Sequence, residues 1–224
     1  MGSVIGEVLP LALGVAISPI PIIAAILMLL SPKARGTSLG FLLGWVLGIV
    51  VAVVIFTLLS SFLPESGSDA PKPVAGVIKI VLGLLLLVLA VRQWRSRPKD
   101  GAEPVLPKWM SAIDSMTAGR GFALGFVLAA VNPKNLLMGV AAGVAVGSDS
   151  PSLGASILAI VIYTVIAAAT VAVPIIAYLV AAKRMAAPLE SLRGWLTRNN
   201  ATVMAVLLLI IGVVVIGKGL ANFS

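Results

Sequence analysis

The chain has 224 residues, a net charge of +8, no histidine and no cysteine, and 60% of it is hydrophobic, with a mean hydropathy of +1.15. That composition excludes a soluble domain with a solvated surface. With no thiol, no imidazole and only eight carboxylates, it also excludes thiol chemistry and most metal sites, and no cofactor is called for.

Six apolar segments are each long enough to cross a hydrocarbon core of roughly 30 Å as a helix: Val4 to Leu30, Thr37 to Leu63, Val74 to Arg92, Gly121 to Val146, Leu153 to Ala182, and Ala201 to Leu220. They lack the alternation of barrel strands, so the expected fold is an all-α polytopic membrane protein. The first segment has no basic region before it and is long enough to stay in the membrane, so no cleavable signal peptide is expected.

In the first span, Ser18, Pro19 and Pro21 form a proline motif. Proline removes a backbone donor and presses on the carbonyl four residues back, so Pro19 and Pro21 are candidates to kink or break the helix. The second span carries Gly36, Gly40, Gly44 and Gly48, a small-residue stripe that lets helices approach closely, within one chain or between two copies. Lys79 lies about two turns into the third span. It is a substrate-site candidate, with snorkelling to the outer interface as the competing expectation. Glu7 and Lys218 lie near the outward ends of their spans and are expected at the interface.

The linker after the third span, residues 93–119, is basic. Leu106, Trp109, Met110 and Ile113 recur there at helical spacing, as in a short helix lying in the interface. Leu189, Leu192, Trp195 and Leu196 repeat that pattern after Pro188. Twelve of the sixteen Lys and Arg fall in alternate loops, which the positive-inside rule assigns to the cytoplasm. The basic charge is therefore topological rather than a nucleic-acid footprint. Both termini are expected outside an inner membrane.

The fourth span reads LAAVNPKNLLMG over residues 128–139. Lys134 is about 12 residues from either end of that span, ~18 Å at the helical rise, too deep to snorkel. A lysine at that depth costs at least ~2.5 kcal/mol unless it faces a cavity or a partner. Asn132, Pro133 and Asn135 flank it. The Ser18-Pro19 and Asn132-Pro133 pairs are 114 positions apart, as are Ser38-Leu39-Gly40 and Ser152-Leu153-Gly154. This shared offset suggests two three-helix repeats, 1–92 and 120–224, of inverted topology, with helices one and four broken near mid-membrane. Two half-helix N-termini would then converge on an anion site. The candidate substrate-binding set is Lys134, Asn132, Asn135, Ser18, Pro19, Pro21, Pro133 and Lys79.

The stretches AISPIPIIAAILMLLSPKARG, KWMSAIDSMTAGRGFALGFVLAAVNPKNLL and LESLRGWLTRNNATVMAVLLLIIGVVVIGKGL resemble the peptidoglycolipid and sulfolipid addressing protein branch of the lysine exporter superfamily. The resemblance implies movement of a cell-envelope lipid or glycolipid across the inner membrane, with Ser18, Pro19, Pro21, Asn132, Pro133, Lys134 and Asn135 at the motif positions. The leading expectation is a transporter or flippase for an anionic lipid. The alternatives are an exporter of small solutes such as amino acids or organic anions, and a scaffold that recruits an envelope lipid exporter. An embedded transferase would need a general base or nucleophile, and the centre offers none but Lys134, so no enzymatic activity is expected.

Overall fold

Proline drives the residue before it out of the α region, and this chain obeys that rule twice inside apolar sequence. Ser18 (φ −92°, ψ 108°) and Asn132 (φ −59°, ψ 123°) are both extended. Each separates two helices: α1 (Gly2–Ala16) from α2 (Pro19–Leu29), bent by 49°, and α5 (Ala118–Ala130) from α6 (Pro133–Asp149), bent by 60°. Pro19 and Pro133 occupy the first helical position, where a missing N–H is no loss. Pro21 also falls in the first turn of α2, whose amides have no intrahelical acceptor. It therefore breaks nothing, contrary to the expectation from sequence.

The computed structural model describes residues 2–60, 62, 73–97, 108–150 and 152–223, without the side chains of Lys108, Trp109, Ser111, Asp149 and Lys183. The remaining helices are α3 (Ala34–Ser60), α4 (Pro73–Arg95), a 3-10 helix (Lys108–Ser115) and α7 (Leu153–Ala221). Non-helical backbone at Ala181 (φ −140°, ψ 50°) divides α7 into Leu153–Ala182 and Arg184–Ala221, here α7a and α7b. No strand occurs among the described residues. Among the described residues, four helices are long and apolar enough to cross a membrane, and there are up to six candidate spans if each bent pair is one span. The chain is an all-helical, multi-pass membrane protein.

Glycine contacts give the register of the bundle. Cβ atoms added at Gly40 and Gly44 would overlap the carbonyl oxygens of Ala118 and Phe122, and one at Gly48 would lie 2.9 Å from that of Phe126. Partners that advance together mean that α3 and α5 run parallel, backbone against backbone. The contact is reciprocal, because Gly121 and Gly125 meet the carbonyls of Thr37 and Phe41. Further along α3, Gly143 and Gly147 of α6 meet Phe56, Thr57 and Ser60. One straight helix thus splints both halves of a broken one, and the glycines of α3 are met by α5 within a single chain.

On α4, Gly76 faces Gly219 and Gly83 faces Gly212 of α7b, with Cβ-to-carbonyl distances of 2.8–3.1 Å. Here the partners move in opposite directions, so α4 and α7b are antiparallel. Gly14 of α1 meets Ile211 and Met138, which places α1 against both α7b and α6. These registers gather the N-termini of α1 and α4 with the C-terminus of α7b at one end, called here the far end. Lys33, Arg35 and Arg95 mark the opposite, basic end.

Two expectations change. Leu189 and Leu196 are buried, and they belong to α7b, one helix of 38 residues that is roughly 57 Å long. The segment after Pro188 is therefore the prolonged start of the last span rather than a separate interfacial helix. In the linker, Leu106 and the Trp109 side chain lie outside the described residues, while Met110 and Ile113 are buried where the 3-10 helix packs on α2. The two repeat landmarks also diverge. Pro19 and Pro133 open equivalent helices, but Ser38 lies inside α3 whereas Ser152 is the N-cap of α7.

Candidate functional site at two helix breaks

A broken helix frees carbonyls that must find donors in a medium without water. At the second break the chain supplies its own. The amide of Asn132 turns back to the Val127 carbonyl at 3.2 Å, which leaves the Leu128 carbonyl to the side chain of Asn135 (Nδ2 to O, 2.8 Å). Asn132 Oδ1 accepts from the Lys134 amide at 3.1 Å and caps α6. Both asparagines therefore hold the break open. At the first break the donor comes from elsewhere: the Thr170 hydroxyl of α7a donates to the carbonyl of Ala16, the last residue of α1.

Lys134 follows Pro133 by one residue and turns the other way. Pro133 is exposed, whereas Lys134 is 6% exposed and its ammonium donates to the thioether of Met204 on α7b at 3.9 Å. Among the described residues no carboxylate and no oxygen acceptor partners it. Beside it Asn135, 3% exposed, keeps a buried Oδ1 with no hydrogen-bond partner. Buried polar atoms are nearly always satisfied, and the exceptions concentrate where a ligand, ion or water belongs. The break thus presents a cation and an amide oxygen that the protein leaves incomplete.

The first break comes to the same level. Gly14 meets Met138, and Pro10 and Leu11 share a small cavity with Ala141. This antiparallel register of α1 with α6 sets Ser18 level with Lys134. Ser18 is buried, and its side chain makes no cap bond to α2. The two half-helices α2 and α6 have no substantial packing surface among the described residues, so the level of the breaks is set through α1.

Lys79 does not join this group and does not snorkel. It is 2% exposed and forms an ion pair with Glu7 of α1 (Nζ to Oε2, 2.9 Å), with Asn222 Oδ1 at 3.4 Å. Lys218 of α7b reaches the carbonyl of Gly6 at 2.8 Å. Glu7 and Lys218, expected at the interface, lie partly buried with Lys79 in one cluster at the far end. At the basic end an open cavity of about 700 Å³ is lined by Lys33, Arg35, Thr117 and Tyr178 among others, with no acidic residue. Thr170 and Met204 were not singled out from sequence. A threonine and a methionine in apolar helices carry no local signal, and their partners are more than 60 positions away.

Fold and site define a polytopic helical membrane protein whose polar centre lies where two interrupted helices change direction. The profile of the family described as Sap, sulfolipid-1-addressing protein, matches residues 8–221, and the chain belongs to that family. No curated protein and no solved structure matches it.

Proposed function

We propose that this protein moves an anionic cell-envelope lipid or glycolipid across the inner membrane, with Lys134 as the headgroup contact. One observation carries this reading: a buried ammonium at a helix break whose described partner is a methionine sulfur. A charge desolvated that far is retained where it serves a pathway or a ligand, and a phosphate or sulfate is its natural counter-ion. The N-termini of α2 and α6, which open at Pro19 and Pro133, add positive potential of the same sign. The family's name, which refers to a sulfolipid, supports a lipid rather than a soluble solute.

The basic end is the cytoplasmic end by the positive-inside rule. Its cavity, with Lys33 and Arg35, would then load the headgroup from the inner leaflet. At the far end, Glu7, Lys79 and Lys218 line a small cavity of about 10 Å³, room for one water. A wide cavity at the basic end and a far smaller one among the described far-end residues support alternating access, with segment 1–92 moving against 120–224 as inverted repeats. The protein carries out no covalent chemistry on the lipid, and its partners are membrane lipids.

The test is reconstitution of wild type and Lys134→Met in vesicles, followed by transfer of a fluorescent anionic lipid between leaflets. Wild type is expected to move it and the variant to fail while still folded. Equal activity would sink the proposal. No activity in wild type until an exporter is added would favour the scaffold reading.

A further inference from the structure

The far-end cluster couples two observations that the central site does not explain. Lys79 is held and inaccessible, with 3% of its side chain exposed, while the side chain of Glu7, whose carboxylate pairs with it, is 19% exposed. The cation lies behind and the anion in front. Lys218, held by the Gly6 carbonyl one residue from Glu7, adds a second positive charge. The cavity among them is lined by residues of α1, α4, α6 and α7b, so it sits where segment 1–92 meets segment 120–224.

The geometry points to a second anion subsite here: Lys79 and Lys218 receive the phosphate or sulfate of the substrate on its way out, and Glu7 is the internal anion that occupies the subsite when no substrate is present. A buried lysine needs a counter-ion at every stage, and the carboxylate supplies it in the closed form. When a headgroup arrives from Lys134, its oxyanion takes the ammonium and Glu7 swings into the water at the far end. That exchange separates α1 from α4 and opens the bundle. When the headgroup leaves, Glu7 returns and recloses it. The passage of substrate from Lys134 rests on the proposed transport. The anion site itself does not.

A purely structural ion pair and an exchangeable one respond oppositely to loss of the carboxylate. The full chain, purified in detergent, is titrated with sodium sulfate against sodium chloride at matched ionic strength, with thermal unfolding as the readout. In parallel, native mass spectrometry counts lipids retained from nanodiscs of phosphatidylglycerol or phosphatidylcholine. Glu7→Gln is expected to bind the anionic probe about tenfold more tightly than wild type, a factor of ten being ~1.4 kcal/mol. Adding Lys79→Gln should remove the gain. A gain for phosphatidylglycerol alone assigns the site to a lipid headgroup, and a gain for sulfate as well assigns it to oxyanions in general.

Glu7→Asp, whose shorter carboxylate retreats from Lys79, gives a smaller gain and covers the case in which Glu7→Gln does not fold. An unchanged affinity in whichever carboxylate variant folds, or a gain that persists without Lys79, overturns the inference. Repeating the titration in Lys134→Met separates the two sites. The gain should survive there even if transport never depended on Lys134.

Discussion

Two lysines lie buried in this apolar bundle, and their surroundings differ in kind. Lys79 is met by a carboxylate at 2.9 Å and a side-chain amide, near the far end. Lys134, at the break between α5 and α6, is met by a thioether. A completed ion pair holds helices together and closes space. An uncompleted cation waits for a counter-ion from outside the protein. The two differ in what meets them, a carboxylate at the far end and a thioether at the centre, although both look alike as lysines inside hydrophobic spans.

The largest test of the contrast is stability. Glu7→Gln leaves the buried Lys79 without its carboxylate and is expected to cost about 3 kcal/mol, the usual penalty for removing one partner of a buried pair. Lys134→Met strands nothing and should leave unfolding in detergent unchanged or shift it upward. Similar losses in both variants would break the comparison. Next comes activity: Lys134→Met should lower lipid transfer about 100-fold, from the loss of a charge-assisted contact of up to ~3 kcal/mol, read as initial rates in vesicles.

Smaller effects address the break itself. Asn135→Ala removes the donor to the Leu128 carbonyl and should destabilise by about 1 to 2 kcal/mol. It should also reduce transfer through displacement of Lys134, so a loss of activity without a loss of stability would reassign Asn135 to direct binding. Thr170→Val withdraws the donor from the Ala16 carbonyl and should cost about 1 kcal/mol, with a weaker effect on transfer. An equal effect from Thr170→Val would mean that the first break matters as much as the second.

Much of the site was legible because its signals are local. Asn-Pro and Ser-Pro within apolar runs mark candidate helix breaks, since proline disfavours the α region for the residue before it, although Pro10, Pro174 and Pro188 are accommodated inside helices. A lysine placed far from both ends of a span cannot escape to water. What the linear pattern withheld was partnership. Asn132 and Asn135 read as ligands beside Lys134, and the fold adds a bond from each at the break, to the Lys134 amide and the Leu128 carbonyl, while Asn135 Oδ1 keeps no partner. Glu7 and Lys218 read as interfacial, because nothing local brings positions 7, 79 and 218 together.

The residues alone therefore determined that this is a helical membrane protein, where two of its helices break, and which cation is too deep to snorkel. All of these follow from hydropathy and backbone sterics within a few residues. Only the tertiary structure decided that α3 splints both halves of the second broken helix, that Lys79 has a carboxylate and Lys134 has a thioether, and that the two breaks share a level. Those depend on which glycine-lined faces meet and in what register, and helix packing over long sequence separations is where that choice is made.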